Sequence, residues 1–406
     1  MMKAPRAPFA WSVGRWLKRR WWVPAIVLLA GLIGFALTRG FVRHEPLHAG
    51  RSVSAWARDL NHPDPLVRSN ATAALRAVGP DAVPPLLRLL RNRDSLLKKP
   101  FVNTAPGLPL SFRRAFMRVF KPFDAGNDRL AAVNALPLFG TNVPVAPLVR
   151  ALHDPDRGIA AQAATTLGRM SRPAVPALIT ALGDRDGYVR SLACYALSIP
   201  GPAAAAAVPA LIQRLADNER NIPPQAVYAL SRIGPAAVPA LAAALRNPDP
   251  QVRAGAARSL GTLRTSDVKA VQALIDSARD GDLEVRHAAV DAISRTQPYS
   301  PEGVAALTNA LADAESVIRR TALEGLQRAG RRAAAGVPSL TRALEDENEE
   351  IRAGAARVLA KIGPAAQPAL PSLNARLSDP DPAVRSNVLQ ALRSIAPEAA
   401  FPPRLP

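Results

Sequence analysis

The chain holds one cysteine, Cys194, and five histidines in 406 residues. One cysteine excludes an internal disulfide and any cysteine-built metal cluster. Cys194 follows Ala193 and lies near Leu197, the setting of a small buried side chain. The histidines (His44, His48, His62, His153 and His287) are dispersed, with no His-x-x-x-His pair, and there is no glycine-rich phosphate loop. The residues supply no catalytic constellation, so the reading is of a non-catalytic protein with no cofactor and no metal. Aromatic residues make up only 5%, which leaves a core of small aliphatic side chains. Acid is scarce at one end: residues 1–126 hold 21 Lys and Arg against 6 Asp and Glu, the remainder 31 against 26. The net charge of +20 therefore gathers in the N-terminal third, beside a membrane rather than along a groove for phosphates, which makes nucleic acid an unlikely partner.

What the chain does have is a repeat. A Val-Arg or Ile-Arg pair recurs at Arg68, Arg190, Arg253, Arg286, Arg319, Arg352 and Arg385, and the last four intervals are each 33 residues. Seven residues after each arginine stands Leu75, Leu197, Leu260, Ile293, Leu326, Leu359 or Leu392. Counting from the arginine, positions +3, +6 and +7 form one apolar stripe at helical spacing. Ahead of this helix runs a shorter one of the form Gly234-Pro-Ala-Ala-Val-Pro-Ala-Leu241. Its glycine takes a left-handed conformation and its proline pre-sets the first turn. Six residues before the arginine slots stand Asp154, Asp184, Asp217, Asp280, Asp313, Asp346 and Asp379, with His62 and Asn247 as substitutes. These acids are expected to cap the second helices and to meet an arginine of their own or the adjacent unit, as a ladder. Two slots, Ala160 and Pro223, lack arginine, and Pro223-Pro224 is expected to shorten or kink its helix. So short a helix pair buries its stripe only by stacking on its neighbours.

The pattern Pro-x-Leu-x-x-x-Leu-x-Asp-x-x-x-x-Val-Arg-x-x-Ala-x-x-Ala-Leu resembles the HEAT repeat over roughly residues 60–400, closest to the short form of bacterial and phycobilisome-lyase-like proteins. The resemblance implies an all-α, right-handed α-solenoid of helical hairpins, and for function a protein-binding scaffold. It also admits two alternatives: a lyase-like enzyme acting on a chromophore or protein, and a nucleic-acid-binding array. The iron-binding His-Glu pairs of some HEAT-type enzymes have one counterpart here, His44-Glu45, outside the repeats.

Residues 1–20 form a basic tail without acid, and Trp21 to Thr38 follow without a charge. Eighteen residues at ~1.5 Å each give about 27 Å, enough for one transmembrane helix. Trp21 and Trp22 stand where interfacial anchors would, beside Lys18, Arg19 and Arg20. The segment reads as an uncleaved signal anchor of a bacterial inner membrane, N-terminus cytoplasmic and solenoid periplasmic. Residues 39–50 read as a linker, 51–91 as the first repeat with Trp56 covering the end of the core, and 92–126 as a basic, aromatic insert. Residues 127–400 read as the regular array and 401–406 as a tail. In the insert, Phe112, Phe116 and Phe120 share one face of a helix and Arg113, Arg114 and Arg118 lie off it, a pattern suited to an anionic membrane surface or a partner.

With +3, +6 and +7 buried, position +5 of each second helix faces outward on the expected concave side. Down the array it reads Tyr195, Tyr228, Arg258, Asp291, Glu324, Arg357 and Gln390. Tyrosine and arginine are common anchors of protein interfaces, so this row is the candidate site for a protein partner.

Overall fold

The structure is a computed structural model that describes residues 45–93, 125–296 and 299–397. The expected anchor at 21–38 and nearly all of the insert, including Phe112, Arg113, Arg114, Phe116, Arg118 and Phe120, lie outside the described residues. Among those described, one apolar stretch has the length of a membrane span, 222–244. It is two helices of the array, meeting at Gly234, whose φ is +83.

Among the described residues, ten helical hairpins follow one another. Their first helices are α1 (Val53–Asp59), α3 (Val83–Leu90), α5 (Val145–Ala151), α7 (Val175–Ala181), α9 (Val208–Gln213), α11 (Val238–Ala244), α13 (Val268–Ser277), α15 (Pro301–Ala310), α17 (Val337–Ala343) and α19 (Leu370–Ala375). Their second helices are α2 (Pro65–Val78), α4 (Ala125–Ala135), α6 (Arg157–Met170), α8 (Gly187–Ser198), α10 (Ile222–Ile233), α12 (Pro250–Leu263), α14 (Leu283–Arg295), α16 (Ser316–Ala329), α18 (Glu349–Ile362) and α20 (Pro382–Ile395). Each second helix packs on its own first helix and, from α4 onward, on the second helices of adjacent units; in the first unit it is α1 that meets α4. The array thus has two long edges. The turns joining first to second helix form the turn edge. The connections from each second helix to the next first helix form the return edge.

The core follows the stripe read from the sequence. Ala193, Ala196 and Leu197, at +3, +6 and +7 of α8, are fully buried, as are Ala355, Val358 and Leu359 of α18. They share the core with buried leucines of the first helices, such as Leu178, Leu211, Leu241 and Leu340. Cys194 lies in this core, its thiol pushed up to about 12 by burial. Successive second helices come close where a glycine replaces a side chain. A Cβ on Gly168 would lie 2.6 Å from the carbonyl oxygen of Ala196, and one on Gly261 would lie 2.9 Å from Cα of Ala292. Gly168→Ala and Gly261→Ala are therefore expected to destabilise by about 1–3 kcal/mol through overpacking, although alanine is the better helix former by ~1 kcal/mol. Chemical denaturation of the two variants, against a Gly126→Ala control where a Cβ meets nothing within 4 Å, measures the difference.

Several local expectations change. Gly234 has the expected positive φ, but its ψ is −148; it turns the chain through a region open essentially to glycine alone rather than the left-handed helical one. Ser171 does the same work at φ 61 and ψ −133. Pro223 and Pro224 occupy the first turn of α10, where the missing N–H groups cost nothing, so the helix is unkinked and, at 12 residues, as long as α8. Before α1, in what reads as linker, Leu47–His48 pairs antiparallel with Arg51–Ser52. Trp56 covers this end: its Nε1 donates to the carbonyl of His48 at 3.1 Å, and the Arg51 guanidinium lies 4.1 Å from its ring centre. The sequence closes the first repeat at residue 91, yet α3 packs against α4. The described ends of the insert, Arg93 and Ala125, therefore belong to one hairpin and leave from its turn edge. Buried Asp128 ties them together, accepting from Nε of Arg58 at 2.7 Å and Nδ2 of Asn92 at 2.9 Å.

Candidate interaction face

The second helices present the candidate face, and the turn edge holds them in register. Most turns carry an acid at −6 and at −4 from the arginine slot, with His62, Asn247 and Asn348 as the substitutes. The sequence reading assigns the cap to −6; the structure places it at −4. Asp186 Oδ1 accepts from the N–H of Tyr188 at 2.8 Å, and Asp249 Oδ1 from that of Gln251 at 2.8 Å, each satisfying an orphan donor of the first turn. The residue at −6 instead accepts the N–H of the residue at −4, as Asp280 does from Asp282 at 2.9 Å. Its carboxylate then points to the preceding unit.

There the expected ladder forms, in one direction. Arg129 meets Asp154, Arg190 meets Asp217, Arg253 meets Asp280, Arg286 meets Asp313, Arg319 meets Asp346 and Arg352 meets Asp379, each within 3.0 Å. Each arginine holds its own turn through backbone and the next turn through carboxylate. Arg253 Nη1 donates to the carbonyls of Asn247 and Pro248, while its Nε and Nη2 bind Asp280, both at 2.8 Å. At Arg319, Nε sits 2.8 Å from Asp346 Oδ2 but its N–H points elsewhere, and Nη2 donates to Oδ1 at 2.9 Å. The empty slots are informative. At Pro223 the facing residue is neutral Asn247, whose side chain keeps the turn bond, to the N–H of Asp249 at 2.9 Å, and forms no rung. At Ala160 the facing Asp184 takes His153 Nε2 at 2.9 Å instead.

The rungs are buried and their charges matched. Hydrogen bonding from Arg253 holds the Asp280 carboxyl below the usual carboxylate range against the opposing cost of burial, and Arg352 does the same for Asp379. At Asp217, whose side chain is only 2% exposed, burial pulls upward most strongly. Arg190, the N–H of Glu219 and Arg214 together still bring it down.

On this frame the +5 row is exposed, Asp291 only partly. Tyr195 on α8 is 45% exposed and Tyr228 on α10 is 54% exposed. The charged part of the row pairs within the array: Arg258 with Glu284 at 2.7 Å, Asp291 with Arg295 at 3.0 Å and Glu324 with Arg328 at 3.3 Å. Arg357 lies beside Gly354 in a groove of about 370 Å³ between α16 and α18, with Glu324 and Arg320 on its walls. A second groove, of about 620 Å³, runs beside Arg258 past Arg220 and Pro223. The row thus divides into two tyrosines on neighbouring helices and a stretch of mutually neutralised charge. The sequence reading misses Tyr188, whose hydroxyl donates to the carbonyl of Arg157 at 3.0 Å while the Arg157 guanidinium lies over its ring; its position at −2 on α8 is the signal that would have found it. Among the described residues, no three His, Cys, Asp or Glu side chains are grouped to hold a metal ion.

Stacked hairpins whose second helices share a core and whose turns are bolted by arginine–aspartate rungs define an α-solenoid. A family model described as HEAT repeats matches residues 124–198, 145–222, 208–294 and 304–393, and one described as a PBS lyase HEAT-like repeat matches 67–92. The chain belongs to the HEAT-repeat family. No curated protein matches it. Similar solved structures include an engineered protein, 20% identical with a TM-score of 0.38, the alignment covering 84% of this chain and 98% of that one. Kap95p, in a structure of its binding to RanGDP, is 12% identical with a TM-score of 0.45, over 85% of this chain and 56% of its own. Kap121p is 14% identical with a TM-score of 0.44, over 84% of this chain and 44% of its own. The chain spans about half the length of these two proteins.

Proposed function

We propose that this HEAT array is a non-catalytic scaffold that binds a protein partner along its second-helix face and is held by residues 21–38 in a bacterial inner membrane, with the array on the periplasmic side. The observation that carries the binding reading is the pair Tyr195 and Tyr228. Both are large aromatic side chains left open on adjacent helices, and among the described residues they are the aromatic ones so exposed. A tyrosine offers wide apolar contact with a polar tip and little entropy to lose, which is why it anchors interfaces. Neither ring is needed by the core, so removing one changes what the face holds rather than how the array folds.

A photo-crosslinking residue in place of Tyr228 is expected to give a discrete crosslinked partner in cells, and one in place of Arg342, on first helix α17, to give none. Tyr195→Ala combined with Arg258→Glu should abolish the Tyr228 product while leaving thermal unfolding unchanged. A hot-spot loss of ~2 kcal/mol or more corresponds to roughly a 30-fold weakening. Crosslinking that survives the double change, or that is equal from both positions, would sink the reading.

A further inference from the structure

The array's nearly balanced charge conceals a division between its two edges. Arg169, Arg232, Arg295, Arg328 and Lys361 stand at +9 and Arg393 at +8 of their second helices, all exposed at the return edge. Bases in the last turn of a helix suit its dipole, and that alone would account for them. The same rule, however, predicts acids in the first turns of the first helices, which meet the second-helix ends on this edge. Among the described residues those turns are almost bare of acid: Glu302 stands in α15, and Asp81 in the short turn before α3. The turn edge has the opposite character, since its ladder arginines, Arg129, Arg190, Arg253, Arg286, Arg319 and Arg352, each face a carboxylate. Arg295 and Arg328 are bound by acids of their own helices. No carboxylate is recorded beside Arg169, Arg232, Lys361 or Arg393 among the described residues.

Two further observations fall on the same edge. At the start of α13, Val268 is 82% exposed; exposed Arg264, at the end of α12, and exposed Lys269 lie near it in the chain, and the cap Asp267 stands directly before it with its carboxylate turned to the N–H of Ala270. An apolar side chain left open beside cations suits the interface of an anionic bilayer, with the aliphatic group among acyl chains and the bases at the headgroups. The chain also enters the array here: Glu45 binds the N–H and hydroxyl of Ser54 at 3.0 and 2.6 Å, at the beginning of α1.

We infer that the return edge is a docking surface for anionic lipid, along which the array lies edge-on to the membrane. Its direction of approach rests on the anchor proposed above; the charge pattern and the open valine do not. Six residues separate Thr38 from Glu45 and span at most about 20 Å, so an anchored array holds this edge near the bilayer and turns the opposite edge away. The bases stand on six of the ten second helices, and each one free to meet a headgroup is expected to improve partition onto an anionic surface about fivefold.

The test uses the full chain in vesicles of phosphatidylcholine with and without phosphatidylglycerol, with a fluorophore at Val268→Cys or at Glu347→Cys on the turn edge. Cys194 is buried and stays unlabelled. A nitroxide on the lipid headgroup is expected to quench the label at 268 in phosphatidylglycerol vesicles and to spare the one at 347. The combined Arg169→Glu, Arg232→Glu, Lys361→Glu and Arg393→Glu variant should lose that quenching, as should the parent at about 1 M salt, where screening reaches ~3 Å. The four residues are exposed, and far-UV circular dichroism checks that the fold is kept; neutralising changes to Gln give the intermediate step. Equal quenching at both positions, quenching at 268 indifferent to charge reversal, or a row that retains a short nucleic-acid duplex while 268 stays unquenched would each overturn the inference. Alkaline extraction separates it from the anchor. If the chain washes off, the anchor fails, and quenching at 268 on adding the chain to preformed vesicles then decides the edge alone.

Discussion

Asp217→Ala is expected to destabilise the array by about 3–5 kcal/mol, the cost of removing one partner from a buried ion pair. Asp217 sits at the middle of the chain, bound by Arg190 through Nε and Nη2, both at 2.8 Å, and by Arg214 at 3.0 Å. It also holds the turn through the N–H of Glu219 at 3.1 Å. Its removal leaves two largely buried guanidinium groups without a carboxylate. The rungs on either side are already weak, because slots Ala160 and Pro223 carry no arginine. A solenoid's stability is a sum of unit terms and neighbour terms, so losing this rung should also split one unfolding transition into two. Denaturation followed by circular dichroism measures both effects. Arg258→Ala, which breaks the exposed pair with Glu284, should cost under about 1 kcal/mol. Joint replacement of Arg190 and Asp217 by leucine should recover most of the loss, since a well-packed apolar pair often equals a buried ionic one. A small effect of Asp217→Ala would mean that the hydrophobic stripe alone sets the register.

The stripe is what the sequence displays most openly. Leu197 and Leu359 repeat at fixed distance from their arginines because every unit offers the same pocket to its neighbour. The direction of the ladder is not visible in the same way. Asp280 is six residues from Arg286 and 27 from Arg253, and only the offset between stacked hairpins decides which guanidinium receives its carboxylate. Confusion of Asp184 with Asp186 as the cap has a similar origin, since two acids two residues apart both suit a helix start. Exposure of Tyr195 and Tyr228 followed from periodicity alone. Pairing of Arg258 with Glu284 did not, because it crosses between units. The basic return edge escaped for another reason: charge summed along the chain mixes Arg232 with Asp217 and Glu219, which the fold sends to opposite edges.

Acid should unfold the array through its rungs. The carboxyls of Asp217, Asp280 and Asp379 all lie below their ordinary value in the folded protein and return to about 3.9 when the chain unfolds. Between those values the unfolded chain binds more protons, so stability rises with pH there. The rungs' contribution is thus complete above the unfolded value and is lost as pH falls through the lowered folded values. Each unit of depression is worth about 1.4 kcal/mol, and several rungs titrate over one range, so the decline should be steep. The denaturant midpoint is expected to stay level from about pH 8 to 5 and to fall below about pH 4. Changing Arg352 and Asp379 together to apolar residues should make the fall shallower without moving its onset, because the other rungs remain. Salt should alter it little, since buried pairs are weakly screened. A decline that begins well above pH 5 would mean that the rung carboxylates do not carry the acid sensitivity.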